Sequence, residues 1–115
     1  MSKAVGGTIQ ISNDVLADIA GFAALECYGI VGMASPTLRA GVAQILSLDR
    51  LRKGVKIKSD GEGVTVDLYV IAEYGTNLAE VSHNMSDRVR YVVATNAEVR
   101  VDEVNVHVQG IKVRK

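Results

Sequence analysis

The sequence has few of the residues on which several protein classes depend. Among 115 residues it contains one cysteine, one proline, one phenylalanine and no tryptophan. Because Cys27 stands alone, no intramolecular disulfide can form, and the cysteine content does not call for an oxidising compartment. Because aromatic rings are scarce, we expect the core to be built from Val, Ile, Leu and Ala.

An excess of charge is also absent. Thirteen basic and thirteen acidic residues cancel, which argues against a dedicated nucleic-acid or anionic-membrane binder. Zero net charge also removes the repulsion that keeps domains apart, and so favours homo-oligomers. The longest apolar stretch, around Phe22–Leu25, is far shorter than the roughly 18–20 residues of a membrane span, and residues 1–7 have no apolar signal-peptide region. We expect a cytoplasmic protein whose contact with a membrane, if it has one, is peripheral or through a partner.

Catalytic and cofactor-binding motifs are missing as well. The sequence has no P-loop, dinucleotide fingerprint or Gly-x-Ser-x-Gly motif, and no ligand-spaced metal set. His83 precedes Asp87 by one helical turn and His107 lies on the polar side of the last strand, and we interpret both histidines as surface residues. Cys27 ends an apolar helical face, where a free cysteine usually acts as a small hydrophobe. The prediction is a non-enzymatic protein without catalytic residues, cofactor or metal.

The length suits one domain over residues 1–115. Thr8–Ile11 alternates polar and apolar residues, as a short strand does. Ser12 is a suitable N-cap for a first helix, whose apolar stripe includes Val15 and Phe22 and reaches Cys27.

The following segment is more ambiguous. Gly29–Ala34 is too apolar for an exposed loop, and we interpret it as a buried connection or a short strand. Ser35-Pro36 is typical of a helix start and predicts a second, shorter helix. Its apolar stripe is Leu38, Val42, Ile45, Leu46 and Leu48.

From Gly54 the hydrophobic period changes from helical to two. Val55–Lys58 and Val64–Glu73 alternate on either side of a turn at Ser59–Gly63, which predicts a β-hairpin with one buried face.

The remaining residues predict a helix and a strand. Asn77 is the cap of a long amphipathic helix that ends near Thr95, with Asn96 as its left-handed stop. A final strand region runs from Val99 to Val113. Its alternation slips at Asp102–Glu103 and near Gly110, and each slip indicates a bulge or short turn.

The element order β-α-(α)-β-β-α-β favours an α+β fold. We expect a two-layer sandwich with the helices on one face of a small, mostly antiparallel sheet and the other face open to solvent.

Two surfaces are candidates for binding. Strand alternation sends one set of side chains to the open sheet face, and this candidate interaction surface comprises Lys56, Lys58, Asp67, Tyr69, Ile71, Asn105, His107 and Gln109. Tyr69 and Ile71 are apolar for a solvated face, which suggests contact with another chain.

A candidate basic patch comprises Arg50, Arg52, Lys53, Lys56 and Lys58. If these groups converge, they would bind a phosphate, an anionic headgroup or an acidic partner.

An alternative function stays open at this point. Gly29-Ile30-Val31-Gly32 matches the G-x-x-G pattern of RNA-binding KH modules. With the Arg50–Lys58 cluster it would describe a small nucleic-acid-binding α+β domain. The apolar pair Ile30-Val31 favours a buried turn instead.

Five blocks in order carry a family resemblance. They are Gly7–Ser12 (GTIQIS), Gly29–Met33 (GIVGM), Lys53–Ile57 (KGVKI), Val66–Val70 (VDLYV) and Val104–Ile111 (VNVHVQGI). The chain thereby resembles the alkaline-shock, or envelope stress response, protein family of Gram-positive bacteria. It departs from that pattern at Asn96-Ala97, where a glycine-containing helix stop is expected.

The resemblance implies a non-enzymatic cytoplasmic assembly or scaffold protein of cell-envelope homeostasis. It also implies self-association, and association with the membrane through a membrane-anchored protein partner. The family supplies no catalytic residues to carry over, so only binding surfaces are assigned.

Overall fold

A computed structural model of the chain describes residues 12–36, 45–60 and 63–113. The strand predicted over Thr8–Ile11 and most of the helix predicted after Ser35-Pro36 lie outside these ranges. The elements of the described residues are α1 (Asn13–Leu25), β1 (Ile30–Met33), a 3-10 helix (Leu48–Gly54), β2 (Val55–Asp60), β3 (Gly63–Glu73), α2 (Leu78–Ala97) and β4 (Arg100–Lys112).

Helix α1 begins where the sequence predicts. The Val15 N–H donates to Ser12 Oγ at 3.2 Å, which is the expected N-cap bond. The helix ends at Leu25, and Gly29 takes a positive φ of 88° in the following turn. Two residues assigned to the buried stripe are placed wrongly by the sequence, since Val15 is 45% and Phe22 is 52% exposed. Only one side of α1 faces the sheet and α2, and these two side chains lie off that side.

The prediction of a second helix is wrong for its last part, at Ile45 and Leu46. Ile45 forms an isolated antiparallel bridge with Ala34, and the Leu46 N–H donates to the Met33 carbonyl at 2.8 Å. Main-chain groups at the edge of β1 thus pair with these residues, and hydrogen bonds to a sheet edge outweigh a weak, glycine-containing helical pattern.

Strand β3 is the centre of a four-stranded sheet. Along one edge, residues 63–68 of β3 pair antiparallel with β2 and residues 70–72 pair antiparallel with β1. β1 and β2 therefore share this edge end to end. The predicted β2–β3 hairpin is confirmed.

Strand β4 occupies the other edge of β3. The pairing is parallel and runs from Gly63 opposite Arg100 to Glu73 opposite Lys112. Parallel neighbours need a crossover connection, and α2 supplies it. Two of the three pairings are antiparallel, so the predicted mostly antiparallel α+β sheet is confirmed.

Helix α2 runs from Leu78 to Ala97 and is capped, as predicted, by the Asn77 side chain. It ends two residues later than the sequence predicts, and Glu98 rather than Asn96 takes the left-handed conformation, at φ 56°. The two extra residues place Ala97, 7% exposed, against the core.

Both predicted phase slips in the last strand are β-bulges. Against β3, Asp102 is the extra residue at the first bulge and Gln109 is the extra residue at the second. Because each bulge adds one residue, the apolar side chains after it point to the same face of the sheet as those before it.

The core lies between the two helices and one face of the sheet. Val66, Leu68 and Val70 of β3 are fully buried, and so are Met85 and Val89 of α2. Alternation sends the other β3 side chains to the opposite face, where the candidate surface lies.

Candidate interaction surface

The sheet register brings most of the predicted interaction surface together. Asp67 of β3 lies between Lys56 of β2 and Asn105 of β4. One pair further along, Tyr69 lies opposite His107. The parallel β3–β4 pairing thus places residues that are 38 positions apart side by side. We call Asp67, Tyr69, Asn105 and His107 the open-face cluster.

Asp67 is the centre of the open-face cluster. The residue is 8% exposed, and its Oδ1 accepts a hydrogen bond from Asn105 Nδ2 at 3.0 Å. His107 Nε2 lies 3.3 Å from the same oxygen. A nearly buried carboxylate is costly unless donors satisfy it, and the two β4 side chains provide them.

Tyr69 and His107 form a ring pair in the cluster, in which His107 is exposed and Tyr69 is half-buried. Their rings stack with centroids 4.5 Å apart and an interplanar angle of 12°. Such ring pairs contribute about 0.5–1.5 kcal/mol beyond the area they bury. The His107 ring is therefore held by Asp67 at its edge and by Tyr69 on its face, which gives a flat platform in a defined orientation.

The far end of the predicted surface is covered. Ile71 is 4% exposed, so it does not belong to the accessible surface. Gln109 Nε2 donates to the carbonyls of Ser35 and Pro36, at 3.2 and 3.1 Å. Because β1 and β4 lie on opposite edges of β3, this contact carries the chain that follows β1 across the end of β3.

Gly32 shows that Ile45 contributes to the same cover. Gly32 pairs with Ile71, and a Cβ added to it would lie 2.6 Å from Ile45 Cγ2. The interpretation of Ile71 as an exposed contact residue is thus corrected, because alternation reports a face of the sheet but not what crosses that face.

Three members of the candidate basic patch, Arg52, Lys56 and Lys58, line one groove. Arg52 turns toward α1, where Nη1 lies 3.1 Å from Asp14 Oδ2 and Nη2 lies 2.8 Å from Asp18 Oδ2. The hydrogen bond to Asp18 raises the pKa of the guanidinium. Lys53 is exposed beside it, and the backbone of Arg50 belongs to the 3-10 helix.

Lys56 and Lys58 of the basic patch are exposed on β2. They line one wall of a groove of about 310 Å³ between β2 and the first turns of α1. Asn13 and Asp14 lie on the opposite wall, so the groove carries both signs of charge.

The Gly29–Gly32 segment is not a loop between two helices. Ile30–Met33 is strand β1, and Ile30 is 5% exposed. A Cβ on Gly29 would lie 2.7 Å from Val81 Cγ2. The short-strand interpretation is confirmed, and the structural basis of the KH alternative is wrong, because these glycines allow close packing instead of exposing backbone to a phosphate.

The other candidate residues lie apart from the open-face cluster. His83 Nε2 lies 3.3 Å from Asp87 Oδ2 on α2, and both side chains are mostly exposed. Cys27 Sγ lies 3.5 Å from the Ala23 carbonyl, and burial raises the pKa of its thiol. Within residues 12–36, 45–60 and 63–113, no three His, Cys, Asp or Glu side chains converge as metal ligands would.

Sequence analysis missed the exposure of the last strand. Val108 is 36%, Ile111 48% and Val113 61% exposed, although their alternation assigns them to the core side. The signal that could have found them is the order hairpin–helix–strand, because a crossover helix can deliver its strand to the free edge of a sheet.

No helix among the described residues is both long and apolar enough to cross a membrane.

Comparison with known sequences identifies the family. The model of the alkaline-shock protein 23 family, described as having a cell envelope-related function, matches residues 1–113. The chain belongs to this alkaline-shock protein family. The resemblance to alkaline-shock and envelope stress proteins is confirmed.

Relatives of this alkaline-shock protein cover most of the chain. The uncharacterized protein YloU of Bacillus subtilis (strain 168) is 44% identical over 108 residues, which cover 93% of this chain and 90% of the relative. The uncharacterized protein Spy1614 of Streptococcus pyogenes serotype M6 is 39% identical, over 93% of this chain and 89% of the relative. A stress response regulator gls24 homolog of Streptococcus pyogenes serotype M3 is 24% identical over 100% of this chain and 64% of the relative.

The fold of this alkaline-shock protein also resembles a solved domain. A MamM CTD variant in its zinc form superposes with a TM-score of 0.51 at 11% identity, over 89% of this chain and 86% of that domain. At this identity the likeness shows a shared fold alone.

Proposed function

We propose that this chain is a non-enzymatic assembly or scaffold module of the cell-envelope stress type. It works in the cytoplasm through self-association or through a membrane-tethered protein partner, and the open-face cluster is its contact surface. Membership of a family with a cell envelope-related function supports the cellular role, and the relatives named as stress response regulators support the link to stress.

The observation that carries the proposal is the stacked Tyr69–His107 pair beside the hydrogen-bonded Asp67. Rings held in one orientation lose little conformational entropy on binding, and Tyr is enriched at binding hot spots. The exposed Lys56 and Lys58 on the neighbouring strand provide a charged rim, as protein interfaces usually have around an aromatic centre.

Sedimentation velocity over a concentration series tests this proposal. The wild-type protein should form oligomers or retain a protein partner. Tyr69→Ala and His107→Ala should each weaken the association by about tenfold, because each removes half of the stacked pair.

Helix α2 offers matched controls for both residues. Tyr91 is 69% exposed and the His83 side chain 74% exposed, so Tyr91→Ala and His83→Ala should leave the association unchanged. A wild-type protein that is strictly monomeric at high concentration and has no co-purifying partner contradicts the proposal.

A further inference from the structure

The outer edge of β4 has no partner strand among the described residues. Within residues 12–36, 45–60 and 63–113, β4 pairs with β3 alone, and it spans Arg100–Lys112, which is 13 residues. Proteins usually protect such an edge with prolines, charged side chains, β-bulges or a very short strand, and the two bulges of β4 lie at Asp102 and Gln109, on either side of its central segment. The central segment Val104–Val108 contains no proline, no lysine and no acidic residue. A regular edge segment without these protective residues is a template for another strand.

The charges of β4 differ at its two ends, since Arg100 and Asp102 at its beginning form an ion pair of 2.7 Å with each other. Glu103 lies near its beginning and Lys112 is its last residue, and both are exposed. They pair with Thr65 and Glu73 on β3, which places both on the open face of the sheet. A second β4 in the antiparallel direction would set each glutamate opposite a lysine, whereas a parallel one would set like charges together.

The second bulge of β4 determines which antiparallel register of two β4 strands keeps opposed side chains on the same face of the sheet. Against β3, Gln109 is an extra residue, since Val70 pairs with Val108 and Ile71 with Gly110. If Gln109 is likewise left unpaired in two antiparallel β4 strands, and Glu103 of each lies opposite Lys112 of the other, then the pairing is centred on His107.

Every pair in this register then has both side chains on one face. The open face has Glu103 opposite Lys112, Asn105 opposite Gly110, and His107 opposite itself. The helix face has Val104 opposite Ile111 and Val106 opposite Val108. A shift by one residue would oppose side chains of different faces, which a sheet does not allow.

We propose that β4 pairs antiparallel with β4 of a second copy of this chain, on a two-fold axis at His107, to make one continuous sheet. The inference rests on the self-association in the proposed function and adds the outer edge of β4 to the open-face cluster as a contact surface. The pairing covers Val108 and Ile111, which are 36% and 48% exposed in the single chain. It also brings the two open-face clusters side by side.

Disulfide trapping tests the two-fold axis directly. Directly opposed antiparallel residues have Cβ atoms about 4.5–5.5 Å apart, close to what a disulfide needs. In a Cys27→Ser background, His107→Cys should give a covalent dimer on mild oxidation at a protein concentration more than tenfold above that at which the wild type associates, which offsets the loss of the ring stack. His83→Cys, at an exposed position of α2, should stay monomeric under the same conditions.

Charge and packing variants test the register by sedimentation. Val108→Lys should weaken the dimer by about tenfold, whereas Val113→Lys, beyond the paired residues and more exposed, should not change it. Glu103→Lys and Lys112→Glu should each weaken the dimer by about three- to tenfold, and the double variant should restore it. Thermal melts of each variant separate loss of folding from loss of pairing.

The outcomes distinguish this inference from the proposed function. Trapping at position 107, together with rescue in the double variant, supports β4 pairing. If the wild type self-associates, but the His107→Cys variant forms no disulfide and Val108→Lys leaves association unchanged, β4 pairing is overturned and the proposed function stands. A wild-type monomer without a partner overturns both.

Discussion

Replacing Gly29 by alanine should destabilise the fold through two separable effects. Gly29 has φ 88°, a backbone conformation in which an L-residue is strained. The added Cβ would also lie 2.7 Å from Cγ2 of Val81. That methyl group belongs to a β-branched side chain that is 5% exposed, so it cannot turn away without disturbing the core.

Gly75 provides the matched control. Its φ is 91°, and an added Cβ would meet nothing within 4 Å. Gly75→Ala therefore introduces the backbone strain alone, about 1 kcal/mol. Gly29→Ala adds overpacking, typically about 1–3 kcal/mol, so the total should be about 2–4 kcal/mol. For a domain of this size the difference between the two variants should appear as a Tm lower by about 3–6 °C per kcal/mol.

Urea unfolding followed by far-ultraviolet circular dichroism measures both free energies. A double-mutant cycle with Val81→Ala isolates the clash, because the smaller side chain makes room for the new Cβ. The Gly29→Ala substitution should cost at least about 1 kcal/mol less in the Val81→Ala background. Equal costs for Gly29→Ala and Gly75→Ala, or a cycle that closes without an interaction energy, would refute the packing argument.

Three further predictions concern the core, the open-face cluster and the cysteine. Met85→Ala, at a fully buried position, should cost about 2–5 kcal/mol of unfolding free energy, against less than about 0.5 kcal/mol for Tyr91→Ala; similar values in urea melts would contradict the assigned core. Asn105→Ala removes the 3.0 Å donor to Asp67 and should cost about 1–3 kcal/mol, so an unchanged urea midpoint would show that this bond does not support the carboxylate. Burial raises the pKa of Cys27, with Arg88 opposing and Glu26 reinforcing the shift, so its reaction with a thiol reagent at pH 8 should be slower than that of free cysteine and slower again in Arg88→Gln. Because the folded state holds the thiol proton more tightly, this group should favour folding below the ordinary cysteine range and lose that contribution as the pH rises through the raised pKa; free-cysteine rates at Cys27 would contradict its burial.

Local patterns predicted much of the secondary structure. Ser12 and Asn77 cap the two helices because their side-chain oxygens accept the first free N–H groups, a relation contained within four residues. The β2–β3 hairpin and both bulges of β4 follow from the period of two, since one extra residue must shift every later side chain. Helix ends were less accurate, as Glu98 shows, because packing of Ala97 extends α2 beyond its sequence signal.

The open-face cluster was predicted in composition but not in geometry. Alternation assigns Asp67, Tyr69, Asn105 and His107 to one face. It does not state that β4 lies beside β3 in parallel, which is what sets His107 on Tyr69 and Asn105 on Asp67. Alternation likewise does not predict that Ile71 is buried, because Ile71 is covered by the segment after β1, which crosses the end of β3.

The order of residues along this chain therefore determined the α+β class, the capped helices, the hairpin, the bulges and the residue types available for binding. These are consequences of short-range geometry and of hydrophobic period. Tertiary structure alone decided that β3 is central, that Ile71 is covered, that Arg52 is paired with α1, and that β4 has an outer edge without a partner strand among the described residues. Those outcomes depend on contacts between residues distant in sequence, whose geometry no local pattern records.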